Sequence, residues 1–513
     1  MSPAAAAGPE RIVIEGAAIA TVDAAGTEHA SGHVVIEDGR IVAVGPGPAP
    51  AGPNLGPADP SPRPAGSRPT RRVDGSGCLV TPGLVNTHHH LYQWASRGMA
   101  QQATLFEWLV ELYPVWARLN AEITHAAATA GLAWLARTGC TTAADHHYIF
   151  PGGYGGSSPR AGIGPGGSGG STPLAGAGPS DAGDLFAATI EAAGRVGLRF
   201  HPARGSMDRG RSAGGLPPDE VVEDLDAALA ATEEAIARHH DPAFDAMVRV
   251  AVAPCSPFSV SADLMTGAAE LARRHGVRLH THLAETLDEE EHCRAQFGRT
   301  PAEYLDDLGW LGDDVWLAHC VHLSGDAVKR FAATGTGVAH CPSSNARLGA
   351  GISPVADLLD AGAPVGLGVD GAASNEAGGL GEELRQALLL ARLRGGPTAL
   401  TARQALALGT IGGARCLGRA DEIGSLEPGK LADLVVWRLD GLAHAGINDP
   451  VAALVLGSLP PIELSLVGGR PVVERDEMVG VDADAVASDL RVAARRLVGD
   501  PGGADSVPGK ALP

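Results

Sequence analysis

From the run ending at His90 to the run ending at Gly371, the chain alternates short apolar stretches of β character with helical ones, and this restricts its possible folds more than any other feature. The β-type runs end in order at His90, His147, Arg204, Cys255, Glu285, His322, Ser343 and Gly371. Helical patterns over 122–137, 219–238, 262–274 and 301–308 lie among them. Eight consecutive β/α units predict an α/β fold, an eight-stranded TIM-type barrel, because parallel neighbours need crossover connections. The active site of such a barrel lies where the C-terminal strand ends meet, and nearly all the chemically distinctive residues fall at those ends.

Outside this region the periodicity changes. Segments 11–15, 18–23, 33–37 and 41–44 read as short strands, the last two joined by an Asp38-Gly39 turn, and strand character returns from Arg72 through Leu79. Segments 431–437, 452–457 and 462–473 revert to strands, with Gly468-Gly469 as a turn. These predict an accessory β-sandwich built from both chain ends, with strands over 1–79 and 421–480, a barrel over 80–420 and a C-terminal helix and tail over 481–513. A Pro/Gly/Ala-rich stretch over 46–69 reads as a loop. The Gly/Ser/Pro-rich insertion over 152–183 has too little apolar surface to form a core and reads as a flexible loop after the second barrel strand, padding before lid.

The 513 residues carry a formal charge of -20, and only Lys329, Lys430 and Lys510 stand among the 39 basic residues. That balance argues against nucleic acid or anionic membrane as partner and otherwise serves solubility. The seven cysteines are scattered without a CxxC pair and read as reduced thiols. No targeting or membrane-spanning segment is evident, so a cytoplasmic homo-oligomer acting on a small molecule is expected.

The run Pro82-Gly83-Leu84-Val85-Asn86-Thr87 leads into His88-His89-His90. Side chains alternate along a strand, so His88 and His90 share a face and His89 points away. The fifth run repeats the spacing with His280 and His282, the latter nearer the strand end, and Glu285 follows just beyond. The sixth run brings His319, with His322 of opposite parity in the following turn, and the eighth ends on a lone carboxylate, Asp370. A buried, unpaired Asp is costly, and metal coordination removes the objection. The expected metal ligands are His88, His90, His282 and Asp370, a set that suits one divalent ion, zinc or iron(II). Such an ion makes activated water available at neutral pH. Asp370 is then expected to take the proton of the attacking water, Glu285 to protonate the ring nitrogen beside the attacked carbon, and His319 to orient the nucleophile. Attack at an amino-bearing aromatic carbon expels ammonia. His146 and His147 end the second strand, where a pocket role and a structural hydrogen bond are equal alternatives.

The order HxH after PGLVNT, HxxE on strand five, AHC on strand six and GVDG on strand eight resembles the amidohydrolase superfamily in its aminohydrolase branch. The flanking strands and the GSLEPGKLADL segment at 424–434 resemble that superfamily's accessory β-sandwich. Binuclear members use a carboxylated lysine on strand four, but 247–255 holds no Lys, which implies a mononuclear site. The stretches THHHLYQW (87–94), LFEWLVELYPVWARL (105–119), GCTTAADHHYIF (139–150) and RGSM (204–207) look most like 8-oxoguanine deaminases. That resemblance implies conversion of 8-oxoguanine to urate and ammonia, with Gln93, Arg204 and Cys255 bonding the purine's polar edges and Trp94 stacking on it. The same scaffold serves guanine, pterin, cytosine and aminotriazine substrates such as hydroxyatrazine. A reading of another class, a non-catalytic scaffold that keeps the barrel, is opposed by the presence of every expected ligand.

Overall fold

The computed structural model describes residues 11–50, 70–151 and 182–499. The insertion over 152–183, the loop over 46–69 and the C-terminal tail lie wholly or mostly outside them. Eight parallel strands close into a barrel: β1 (Leu84–Asn86), β2 (Cys140–His147), β3 (Arg199–Ser206), β4 (Ala251–Pro254), β5 (Leu279–Leu283), β6 (Val315–His319), β7 (Gly337–His340) and β8 (Val365–Leu367). Each pairs with its neighbours in sequence, and β8 closes on β1 through Leu367 beside Asn86. Every residue of β2 and β3 is buried, as expected where helices cover the outer face and side chains fill the inner one.

Beyond the barrel rim, His89–His90 and Asp370–Gly371 form a further parallel pair, with Asp370 opposite His89. This pair carries the first and eighth strand ends onward together. Gly371 is required there, since a Cβ would stand 1.8 Å from Gln93 Oε1. Strand β6 stops at His319, three residues before the expected end at His322, because His319 and Cys320 take φ of 70° and 49° and turn the chain away. Strand β7 likewise stops at His340, since Pro342 opens the helix Pro342–Arg347.

Both chain ends contribute to one nine-stranded sheet. Arg11–Ala20 is a single strand where two were expected, with register shifts around Gly16 that absorb the break. Cys78–Pro82 pairs antiparallel with Leu434–Arg438 and so joins the N-terminal and C-terminal strands. Ile12, Ile14, Val34, Ile36, Val80, Leu434, Val436 and Leu464 share a core separate from the barrel's. Asp38 and Gly39, both at positive φ, make the tight hairpin turn. One expected strand is corrected: 452–457 falls on the helix Pro450–Leu456 and its C-cap Gly457, the helix being started by Pro450 and by Asp449, whose side chain accepts from Val451 and Ala452 N–H. The expected helix over 219–238 begins only at Leu225, where Asp224 caps it. A C-terminal helix, Ala483–Val498, packs against the helix Ala121–Arg137. No helix among the described residues is long and apolar enough to cross a membrane, and all seven cysteines are free and buried.

Barrel and sheet are tied by a buried ion pair. Arg199, at the start of β3, donates to both carboxylate oxygens of Asp433 at 2.9 and 3.0 Å, and to the carbonyls of Asp245 and Ala246. Both side chains are 1% exposed. Removing one member leaves an uncompensated buried charge, so Asp433→Ala is expected to lose about 3–5 kcal/mol, read as a lowered thermal midpoint.

Candidate active site

The rim of the barrel gathers a set of buried imidazoles whose hydrogens are all committed elsewhere. Backbone carbonyls only accept, so a ring nitrogen bonded to one must carry the proton. His90 Nδ1 donates to His146 O at 2.7 Å and His282 Nδ1 to Cys255 O at 2.6 Å. His280 Nδ1 donates to Trp316 O at 2.8 Å, which leaves His280 Nε2 to accept from His88 Nδ1, also at 2.8 Å. The Nε2 atoms of His88, His90 and His282 are therefore all bare lone pairs. Burial pushes all three imidazoles below their ordinary range, so each is neutral near pH 7.

These lone pairs converge with Asp370. His90 Nε2 lies 3.1 Å from His282 Nε2, and Asp370 Oδ1 lies 3.3 Å from both His88 Nε2 and His90 Nε2. Bare nitrogens at that distance repel unless a cation lies between them, and His88 Nε2 is buried without a hydrogen-bond partner among the described residues. Four donors on tetrahedral bonds of about 2.0–2.1 Å stand about 3.3 Å apart. The arrangement is a His/Asp metal site: His88, His90, His146 and His282 offer ligand atoms within 4.8 Å of one another, and so do His88, His319 and Asp370. Burial alone would raise the Asp370 carboxyl, but the surrounding His88, His319 and His90 hold it well below the usual range. Its second oxygen accepts from the hydroxyls of Ser344 and Ser374.

Glu285 and His319 stand beside this cluster. His319 Nδ1 donates to Asn345 Oδ1 at 2.9 Å, and Nε2 faces Glu285 Oε2 at 3.6 Å and Asp370 Oδ2 at 4.0 Å. Burial pushes the Glu285 carboxyl up to about 7, so it can hold or release a proton near neutrality. His319 and Asp370 both sit at positive φ, backbone strain concentrated where side chains must be aimed inward.

A cavity opens onto the cluster. Its floor is His90, His282, Glu285, His319 and Asp370, and its walls include Trp108, Tyr113, Tyr148, Phe258 and Leu348. Gln93 and Cys255 line it as well. Gln93 Oε1 accepts from Ala373 N–H at 3.3 Å, which orients the amide so that Nε2 is the free donor. Burial pushes the Cys255 thiol up to about 12, so it is a neutral group.

Two expected substrate contacts are corrected. Trp94 packs behind the rim, its indole N–H donating to His89 Nε2 at 3.1 Å, because the 3-10 turn Leu91–Ser96 folds it back onto the turned-away His89. Arg204 is engaged by Glu223 at 2.6 Å and by Gly205 O, with Phe150 over its guanidinium, and does not line the cavity. His146 and His147 both bond backbone carbonyls, Ala253 O and Ile149 O. The aromatic wall from the helix Leu105–Trp116 escaped sequence reasoning, which had no means of docking that helix. Its dense aromatic content was the one available signal.

The amidohydrolase family profile matches residues 79–471. Among characterised relatives, 8-oxoguanine deaminase of Pseudomonas aeruginosa is 45% identical over 472 residues, 91% of this chain and 95% of the relative. Isoxanthopterin deaminase from an unknown prokaryotic organism is 36% identical, over 83% of this chain and 87% of the relative. Atrazine chlorohydrolase from Arthrobacter aurescens TC1, solved in complex with zinc, superposes with a TM-score of 0.81 at 33% identity, covering 94% of this chain and all of that one. Elemental analysis of the purified protein is expected to find about one divalent ion per chain, and His282→Ala or Asp370→Asn is expected to lower that content.

Proposed function

The chain belongs to the amidohydrolase family, and from that premise we propose that it is a mononuclear aminohydrolase that converts 8-oxoguanine and water to urate and ammonia. The observation that carries the reaction class is the pairing of a His/Asp cluster, in which Asp370 Oδ1 lies 3.3 Å from the Nε2 atoms of His88 and His90, with two further proton-transfer groups, Glu285 and His319, on the floor of one aromatic-walled cavity. The donor set suits zinc first and iron(II) second. An ion held by His88, His90, His282 and Asp370 supplies Lewis acidity that makes water nucleophilic at neutral pH. Lys329 and Lys430, the two lysines among the described residues, lie in the helix Gly325–Thr334 and in the turn before Leu434–Arg438, so neither is on a barrel strand where it could bridge a second ion.

The residues divide the proton work. Asp370, ionised among imidazoles, accepts the proton released as water attacks the amino-bearing carbon. Glu285, neutral in part near pH 7, gives its proton to the adjacent ring nitrogen, so that the ring carries no charge as the carbon becomes tetrahedral. His319, held by Asn345, orients the attacking water. The proton on Asp370 then passes to the amino nitrogen, which leaves as ammonia. The new hydroxyl gives its proton to Glu285 and becomes the carbonyl, so that both carboxyl groups regain their starting states. Trp108, Tyr113, Tyr148 and Phe258 suit a flat heterocycle, and the Gln93 amide donor suits an acceptor on its edge. The substrate assignment is supported by the 45% relative. A pterin is the second reading, favoured by the isoxanthopterin deaminase relationship.

Ammonia release from a panel of 8-oxoguanine, guanine, isoxanthopterin, cytosine and hydroxyatrazine tests the substrate. Fastest turnover is expected with 8-oxoguanine; release from another compound only would overturn that assignment. Glu285→Gln is expected to keep the ion and lose turnover by about 100-fold or more, whereas loss of the ion in that variant would make Glu285 a ligand.

A further inference from the structure

The turn that carries Glu285 leaves its strand in a conformation the backbone disfavours. Ala284 stands at φ 50°, which costs a residue with a β-carbon about 1 kcal/mol or more. Its carbonyl accepts two N–H groups, from Val321 and His322, where the chain leaves β6. On the opposite side the turn is held by a single side chain. Glu289, fully buried, accepts from Ala284 N–H with Oε1 at 2.9 Å and from Glu285 N–H with Oε2 at 2.8 Å.

Helix capping does not account for this contact. The helix Leu287–Phe297 has its own cap, Thr286, whose side chain accepts from Glu289 N–H. In a capping box a carboxylate three residues into the helix returns to the capping residue's own N–H. Here it reaches past Thr286 to the two residues before it. A carboxylate buried this deeply is costly unless it is satisfied, and two parallel bonds to consecutive N–H groups satisfy it while fixing both peptide planes. With those planes fixed, the direction of the Cα–Cβ bond of Glu285 is fixed as well.

We propose that Glu289 is a positioning residue for the reaction: its carboxylate clamps the Ala284 and Glu285 peptides and so holds the Glu285 carboxyl within reach of His319 and the reacting ring. The inference rests on the reading of Glu285 as proton donor. It makes Glu289 a determinant of turnover and not of metal or substrate affinity.

The test compares Glu285→Gln, Glu289→Gln, the double variant and Thr286→Ala, using 8-oxoguanine or whichever panel compound is turned over fastest. Glu289→Gln keeps shape but retains one acceptor oxygen, so one side of the clamp opens. Its kcat is expected to fall about 100-fold, with KM within about threefold and bound zinc and thermal midpoint close to wild type. The double variant is expected to be no slower than Glu285→Gln, because both changes act through one carboxyl group. Thr286→Ala, which removes the acceptor for Glu289 N–H but leaves both bonds of the Glu289 carboxylate in place, is expected to keep kcat. The inference is overturned if kcat of Glu289→Gln stays within about twofold of wild type, if its loss is accompanied by loss of zinc, if the double variant loses activity multiplicatively, or if Thr286→Ala slows turnover equally. Should Glu289→Gln not fold, Glu289→Asp, which keeps the charge and withdraws it by one methylene, is read by the same criteria. Turnover retained in Glu285→Gln overturns the proton-donor reading and this inference with it. A dead Glu285→Gln beside a wild-type-like Glu289→Gln overturns this inference alone.

Discussion

Three imidazole lone pairs aimed at one point, at the buried floor of a cavity, are the constraint on which the rest of the structure depends. Such a cluster is unfavourable by itself, since neighbouring bare nitrogens repel. It persists because every outer ring nitrogen is committed to a fixed partner: His90 to His146 O, His282 to Cys255 O, and His88 to His280, itself held by Trp316 O. The barrel strand ends supply these acceptors at positions the ladder cannot vary. A cation at the point of convergence turns the repulsion into coordination, and the same outer bonds then set ring orientation.

The remainder of the molecule serves to keep those strand ends in register. The short parallel pair of His89–His90 with Asp370–Gly371 brings the carboxylate beside the first two imidazoles, although 280 residues separate Asp370 from His90 in the chain. The accessory sheet feeds directly into β1 through Cys78–Pro82, and the buried Arg199–Asp433 pair anchors it beneath β3. Two carboxylates in helix first turns, Glu289 behind Glu285 and Glu383 behind Ser343 and Asn375, brace the loops that leave the rim. Barrel, sheet and helix termini thus act on one site from three directions.

Much of this was legible from residue order. Strand parity alone groups His88 with His90 and separates His89, and a lone Asp ending an apolar run requires a cationic partner or a ligand role. Parity has no information on what lies beyond the strand, however. Trp94, in the 3-10 turn that follows the first strand, and Arg204, within β3, each turned to local partners, His89 and Glu223, instead of the cavity. The stretch 452–457 shows the same limit in another form. Its apolar run fits strand and helix equally, and Asp449 with Pro450 decided for the helix.

The sequence by itself determined the barrel, the accessory strands from both ends and the residue types gathered at the strand ends, because hydrophobic period and side-chain alternation are local properties of the chain. Only the tertiary structure decided which nitrogen of each histidine is bare, which aromatic side chains wall the cavity and which buried carboxylate braces Glu285. Those depend on acceptors and surfaces contributed by strands and helices remote in sequence, whose relative placement is set by barrel closure and by packing, and by no pattern within any one segment.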